Sequence, residues 1–231
     1  MVIERAPFLA ELIRLLGEAT AGPGRLVFVG GEAGAGKTTL IETFSRDLGE
    51  RVRVAIGACD PLSTPRPLGP LLDMAGALGG LDALPEGSGS RDELFRALLA
   101  KFGGGAPPTV VVFEDVHWAD EATIDLLRFL GRRMGASRGL LIATYRDDEV
   151  GTRHPLRVLL GDLATLGAVR RMSLPLLPAS AVAQLSEGSG LDVVTLHRQT
   201  GGNPFFVTEI LAAGGEAIPA TVRDVVLARA A

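Results

Sequence analysis

The fold of this chain is decided by residues 26–40, which read LVFVGGEAGAGKTTL. The first four residues are apolar and predict a short buried strand, while residues 39–48 resume the spacing of an amphipathic helix. Between them, residues 31–38 match the pattern Gly-x-x-x-x-Gly-Lys-Ser/Thr at every fixed position. Glycines at these positions let backbone N–H groups converge on phosphate oxygens. The sequence therefore predicts a phosphate-binding loop between a strand and a helix.

We call residues 31–38 the glycine loop and predict that it binds a nucleoside triphosphate, ATP, or its hydrolysis product ADP, with Mg²⁺. Lys37 is expected to reach the β and γ phosphates, and the Thr38 hydroxyl is the expected Mg²⁺ ligand. The N-terminus of the following helix adds favourable partial charge at the phosphates. The predicted nucleotide contacts from this segment are Gly31, Glu32, Ala33, Gly34, Ala35, Gly36, Lys37, Thr38 and Thr39.

Composition narrows the class of protein. At 231 residues and 47% hydrophobic content, the chain suits one α/β domain and a small second module. A net charge of −4 with scattered arginines predicts no direct nucleic-acid binding by this segment. The single cysteine, Cys59, has no disulfide partner within the chain, which favours a location in the reducing cytoplasm. No apolar run approaches the roughly 20 residues that span a bilayer, so no membrane partner is expected.

Apolar runs and helical patterns alternate along the first three quarters of the chain. This alternation predicts an α/β fold with a parallel sheet covered on both faces. Further strands are predicted at residues 52–58, 110–113, 140–143 and 169–174, and helices at 8–16, 68–78, 90–102, 120–134 and 155–166. Short helices follow at residues 179–186, 192–199, 204–213 and 221–230. We therefore expect a nucleotide-binding domain over residues 1–174, a helical lid over 175–231, and a parent chain that continues beyond residue 231.

Two adjacent acids, Glu114 and Asp115, end the predicted strand at residues 110–113. The pattern resembles a Walker B motif, in which an acid lies beside the metal-bound phosphates. Motor-type ATPases place aspartate first, as the Mg²⁺ ligand, and glutamate second, as the base that activates water. Here the order is reversed, so Glu114 takes the Mg²⁺ position, through water, and Asp115 takes the position of the base. The alternative is a pair of acids that only caps a strand, and the reversal predicts slow hydrolysis.

Arg146 follows the predicted strand at residues 140–143 and is interpreted as a sensor of the γ-phosphate. The alternative is a solvated loop arginine paired with Asp147 or Asp148. Farther along the chain, Asn203 and Pro204 have the composition of a helix start, and spacing alone indicates nothing more.

Four segments together resemble a known family: the glycine loop, residues 114–120 (EDVHWAD), 144–146 (TYR) and 200–206 (TGGNPFF). They are similar to the ATPase domain of large LuxR-type bacterial transcriptional regulators. That domain belongs to the STAND class of P-loop ATPases and is related to the origin-recognition AAA ATPase domain. The resemblance implies a P-loop NTPase three-layer sandwich with a five-stranded sheet of the additional-strand type, a small helical lid and the start of a winged-helix segment.

The resemblance also implies roles for residues that spacing does not single out. Pro204 would pack on the adenine, and the segment around Arg5 would line the base pocket. DNA binding would belong to a C-terminal helix-turn-helix domain of the complete regulator. The implied function is an ATP switch with slow hydrolysis, with Lys37, Glu114, Asp115 and Arg146 as its catalytic set.

Two other functions remain open from the sequence. One is a motor-type AAA ATPase that self-associates into a ring, with a trans-acting arginine among Arg132, Arg133, Arg153 and Arg157. The other is a scaffold module that binds ATP without hydrolysing it. His117 and Trp118 are expected to pack and position the loop after the acids.

Overall fold

A computed structural model describes residues 3–79, 90–103 and 107–214 of the chain. Its centre is a sheet of five parallel strands, which confirms the predicted fold class. The strands are β1 (Arg25–Gly30), β2 (Arg53–Ala58), β3 (Thr109–Glu114), β4 (Leu140–Tyr145) and β5 (Val169–Ser173). Each differs from its predicted range by a residue or two, because runs of buried apolar residues mark the strands clearly in the sequence.

The strands lie in the order β2-β3-β4-β1-β5. Strand β4 therefore separates β1, which precedes the glycine loop, from β3, which ends in the two acids. This is the additional strand that the family resemblance implied. Gly30 pairs with Tyr145, and Phe113 pairs with Ala143, so β1, β3 and β4 end at the same edge of the sheet. Ligands of open parallel sheets bind at this edge.

Helices cover both faces of the sheet and complete three layers. They are α1 (Ala6–Ala21), α2 (Lys37–Leu48), α3 (Gly69–Asp73), α4 (Arg91–Lys101), α5 (Glu121–Gly131) and α6 (Pro155–Asp162). Alternate strand residues point to opposite faces. Val27 and Val29 pack with α1 and α2 in one apolar cluster, whereas Leu26 and Phe28 belong to a second cluster with α3 to α6.

Local capping explains where several helices begin. The Asp120 carboxylate accepts hydrogen bonds from the N–H groups of Ala122 and Thr123, which confirms Asp120 as the N-cap of α5. Ser90 and Glu93 form a capping box at the start of α4. Two helices were predicted too long: α3 ends at Asp73 rather than near residue 78, and α6 ends at Asp162 rather than near residue 166.

Three helices follow the sheet and are called the C-terminal helices here: α7 (Ala179–Leu185), α8 (Val193–Thr200) and α9 (Pro204–Ala212). They enclose a small apolar cluster of their own, which includes Val182, Leu196 and Val207. Their bounds lie within a residue or so of prediction. The predicted helix at residues 221–230 and the start of the winged-helix segment lie outside the described residues. None of the described helices is long and apolar enough to cross a membrane.

Candidate nucleotide site

The glycine loop joins the end of β1 to the start of α2. Gly34 and Gly36 have φ angles of 80° and 91°, a region that residues with side chains rarely adopt. Gly36 is also the N-cap of α2, so the first N–H groups of that helix belong to the loop. A Cβ atom at Gly34 would lie 2.6 Å from the Asn203 Oδ1 atom, because the C-terminal helices press against the loop here.

Lys37 folds over the glycine loop. Its Nζ atom donates to the carbonyl oxygens of Gly31 and Glu32 at 2.7 and 2.9 Å, and the residue is only 7% exposed. Burial lowers the pKa of the ammonium group, and the negative charge of Asp115 opposes that shift. An ammonium group has three N–H donors, so one remains to be given to a phosphate oxygen.

Thr38 and Glu114 lie together beside the loop. Burial raises the pKa of Glu114, and a hydrogen bond from the Thr38 side chain partly offsets that rise. The Oε1 atom of Glu114 is buried and accepts no hydrogen bond from the described residues. A hydroxyl and a carboxylate oxygen without a partner are the donor types that Mg²⁺ prefers, so these two residues fit the ion.

Asp115 adopts a left-handed conformation, with φ 53° and ψ 43°, at the turn after β3. Its backbone N–H donates to the Thr144 Oγ1 atom at 3.0 Å. Thr144 lies in β4 and is buried, so the neighbouring strand fixes the turn that presents the Asp115 carboxylate. The side chain retains 29% exposure.

The guanidinium of Arg146 is held from two sides. It pairs with the Glu149 carboxylate and lies over the Trp118 ring, with Cζ 4.5 Å from the ring centroid. The sequence-based alternative named Asp147 and Asp148 as partners, which is wrong because the structure places Glu149 against Arg146. The spacing of three residues could have revealed this pair.

His117 is buried beneath this group. Its Nδ1 atom accepts a hydrogen bond from the Arg146 backbone N–H at 3.4 Å, so the proton of the neutral ring lies on Nε2. Nε2 faces the Glu149 Oε2 atom at 3.4 Å without the alignment of a hydrogen bond. Burial lowers the pKa of His117 to about 4, against the opposing charges of Asp115 and Glu149. The ring is therefore neutral near pH 7 and supports the loop as expected.

Arg5 crosses from the start of α1 to the glycine loop. Its Nη2 atom donates to the carbonyl oxygens of Ala35 and Pro175, both at 2.8 Å. The residue is 3% exposed, and its Nη1 atom is buried with no hydrogen-bond partner among the described residues. Burial lowers the pKa of the guanidinium.

Asn203 begins α9 and also contacts the glycine loop. Its Oδ1 atom accepts from the Phe205 N–H, while its Nδ2 atom donates to the Ala33 carbonyl at 2.8 Å. The Phe205 N–H also lies 3.3 Å from the Gly34 carbonyl oxygen. The sequence indicated only a helix start at Asn203, and it missed the contact because the two partners are 170 residues apart.

These residues surround one cavity of about 390 Å³ between the sheet edge and the C-terminal helices. The predicted residues Arg5, Lys37, Asp115, Arg146 and Pro204 all line it. The remaining lining residues are Ile3, Ala33, Gly34, Ala35, Gly36, Thr38, Thr39, Leu177, Leu185, Phe205 and Thr208. Gly31, Glu32 and Glu114 were also predicted as site residues but are not among the lining residues.

Other candidate groups lie elsewhere. Burial raises the pKa of the Cys59 thiol to about 12, so it is not a nucleophile near pH 7. Two of the arginines considered as trans-acting residues have partners within the chain. Arg133 stacks on Phe129, and Arg157 donates to the Val150 carbonyl. Within the described ranges, no three His, Cys, Asp or Glu side chains are grouped as a metal site.

Comparison with known proteins supports the fold. A family model described as AAA ATPase domain matches residues 2–143. No curated protein matches the sequence. Among solved structures, Cdc6p from Pyrobaculum aerophilum is similar with a TM-score of 0.64 and 16% identity, over 92% of this chain and 61% of that protein.

Two further structures show the same likeness. The Aeropyrum pernix Orc1 protein, solved in complex with DNA, gives a TM-score of 0.60 and 17% identity over 93% of this chain and 60% of Orc1. A STAND protein with a tetratricopeptide repeat sensor from Pyrococcus horikoshii gives a TM-score of 0.52 and 19% identity. The match covers 86% of this chain and 29% of that protein. This chain thus spans about three fifths of the Cdc6p and Orc1 chains. The predicted similarity to STAND and origin-recognition ATPases is confirmed at the level of fold.

Proposed function

The chain belongs to the family of AAA ATPase domains, and we propose that it is the ATP-dependent switch of a bacterial signal-transducing regulator of the LuxR type. The proposed ligand is ATP or ADP with Mg²⁺. In this proposal residues 1–174 are the nucleotide-binding domain, and residues 175–231 are the helical lid and the beginning of a winged-helix segment. The C-terminal helices are the described part of the lid. ATP bound between the two would favour one lid position, and slow hydrolysis would reset it.

One observation carries this proposal: a single cavity is lined both by the glycine loop and by the C-terminal helices. Its polar side holds Lys37 and Arg146, which suit phosphates. Its other side holds Leu177, Leu185 and Pro204, which suit the face of a base. A nucleotide in this cavity would touch both parts of the chain at once, so its binding free energy would depend on their relative position.

The residues of the site would have separate roles in binding the phosphates, in holding Mg²⁺ and in activating water. Loop N–H groups and the third Lys37 donor would bind the β and γ phosphates, and Arg146 would report the γ-phosphate. Thr38 and Glu114 would hold Mg²⁺, which neutralises phosphate charge when bound. Asp115 lies at the cavity wall and would accept a proton from the attacking water. The short Asp115 side chain, together with a neutral His117 as its neighbour, supports slow turnover.

Thermal unfolding tests nucleotide binding directly. MgATP should raise the melting temperature of the wild-type protein, because a ligand that binds only the folded state stabilises it. Lys37→Ala should remove that shift, and Lys101→Ala, the only other lysine, is the matched control. An equal ATP-dependent shift in the wild type and Lys37→Ala would contradict the assignment of the glycine loop.

Hydrolysis separates the switch from the alternatives. A ring-forming motor would show fast phosphate release that increases steeply with protein concentration, whereas the switch should release phosphate slowly at every concentration. The reversed order of Glu114 and Asp115 favours a second candidate, a scaffold that binds ATP without hydrolysis. Asp115→Asn decides between the switch and the scaffold: lower phosphate release than in the wild type supports the switch, and background release in both proteins supports the scaffold. Equal release above background would show that Asp115 is not the base.

A further inference from the structure

Three consecutive carbonyl groups of the glycine loop accept hydrogen bonds from outside the loop. The Ala33 oxygen accepts from Asn203 Nδ2 at 2.8 Å, and the Gly34 oxygen accepts from the Phe205 N–H at 3.3 Å. The Ala35 oxygen accepts from Arg5 Nη2 at 2.8 Å. These three carbonyl groups are therefore bound by α9 and by Arg5 at the start of α1, not by strands of the sheet.

The contact between the loop and Asn203 is buried and close. Asn203 is 2% exposed, and the Ala33 carbonyl is its Nδ2 partner. A Cβ atom at Gly34 would lie 2.6 Å from Asn203 Oδ1 and 2.9 Å from the Phe205 Cβ atom. Only glycine at this position lets α9 approach the loop so closely.

The contact with Asn203 also fixes the direction of a backbone N–H group of the glycine loop, because the Ala33 carbonyl and that N–H belong to the same peptide. In a planar trans peptide the C=O and N–H bonds point in opposite directions. When Asn203 holds the Ala33 carbonyl outward, the N–H of Gly34 in the same peptide must point the other way. Arg5 fixes the Gly36 N–H in the same manner through the Ala35 carbonyl. Gly34 and Gly36 both line the cavity.

We propose that Asn203 is a positioning residue of the glycine loop, which aims the Gly34 N–H at phosphate through the Ala33 carbonyl. This inference rests on the proposed function of the loop. Asn203 is also the N-cap of α9, so a shift of α9 displaces its side chain from the Ala33 carbonyl. The C-terminal helices thereby control phosphate affinity without touching phosphate, and phosphate binding must stabilise α9 in return.

The deciding variant is Asn203→Asp. Aspartate has nearly the same shape and caps a helix equally well, so it still accepts from the Phe205 N–H. It lacks the Nδ2 donor and places a carboxylate oxygen against the Ala33 carbonyl. The probe is magnesium tripolyphosphate, which has no base and so reports the loop alone. We expect isothermal titration to show about tenfold weaker binding in the variant, from one lost buried hydrogen bond.

A second measurement separates positioning from simple loss of stability. In the wild type, tripolyphosphate should slow hydrogen exchange of the α9 amides, and in Asn203→Asp this protection should be lost. The matched control is Asp192→Asn, which changes the N-cap of α8 and should keep wild-type tripolyphosphate affinity. A loss of affinity in the control equal to that in Asn203→Asp would overturn the inference.

The remaining outcomes distinguish this inference from the proposed function. If the wild type binds tripolyphosphate and ATP, and Asn203→Asp binds both equally well, Asn203 does not position the loop and only the inference is overturned. If the wild type binds neither, the proposed function itself is overturned. A matching loss for tripolyphosphate and ATP supports the inference, because it places the effect at the phosphates and not at the base.

Discussion

Arg146 and Glu149 form an ion pair in which Nη1 lies 2.6 Å from Oε1. The Arg146 side chain is 27% exposed and that of Glu149 is 38% exposed, so the pair is worth at most about 1 kcal/mol. Arg146 also lines the cavity. Glu149 therefore competes with a γ-phosphate for the same guanidinium group.

Glu149→Gln should strengthen ATP binding by up to about fivefold and leave ADP binding unchanged. Removing the carboxylate frees Arg146 for the γ-phosphate, which ADP lacks. Calorimetric titration with both nucleotides measures the effect. Glu50→Gln is the control, because Glu50 is exposed and precedes the start of β2, at the edge of the sheet opposite to the cavity. An equal gain for ATP and ADP would show that Glu149 acts on something other than the sensor.

His117 should make stability fall as the solution becomes acidic. Its folded-state pKa of about 4 lies below the ordinary value of 6.5. As the pH falls through this window, the unfolded chain binds a proton that the folded chain does not bind, so the free energy of unfolding decreases. The loss should begin near pH 6.5, be complete near pH 4 and amount to at most about 3 kcal/mol.

Urea unfolding at a series of pH values, compared between the wild type and His117→Gln, measures this contribution. Glutamine can still accept from the Arg146 N–H but does not titrate. All other groups titrate in both proteins, so the difference between the two curves isolates His117. Curves that stay parallel from pH 7 to pH 4 would mean that His117 keeps its ordinary pKa in the folded protein.

Glu114→Gln should have opposite effects on stability and on metal binding. Burial raises the pKa of Glu114, so its charged form is disfavoured in the folded protein at neutral pH. An amide removes that cost, and the melting temperature without ligand should rise by about 2 °C. ATP binding should lose its dependence on Mg²⁺. Glu50→Gln, an exposed acid before β2, should change neither property.

The strands and most helices could be predicted because their signals are local. The apolar run at residues 110–113 and the Asp120 cap each depend on neighbours in sequence, and both are found in the structure. α6 was predicted too long because Leu163 and Leu166 continue the apolar pattern, yet the helix ends before them. Both residues lie after the end of the helix. Leu163 belongs to the apolar cluster that contains Leu26 and Phe28, and Leu166 packs against that cluster.

The site was predicted less completely than the fold because its contacts are long-range. The glycine loop has a local motif, whereas the partners of its carbonyl groups, Asn203 and Arg5, lie far away in sequence. Capping chemistry explained Asn203 fully as a helix start, so nothing local pointed to its second amide contact. The contact of Thr144 was missed for the same reason, because its hydroxyl accepts from the backbone N–H of Asp115, which follows another strand.

The position of β1 in the sheet has a consequence for how the chain folds. Both of its neighbours, β4 and β5, are made more than a hundred residues later. During synthesis the glycine loop therefore emerges long before the strands that will hold it, and α9 emerges later still. Such non-local pairing is slow to form, because a long stretch of chain must be ordered first. Because the cavity is completed by α9, tight nucleotide binding is expected late in synthesis, and a labelled nucleotide should be captured more strongly by nascent chains in which α9 has emerged and docked.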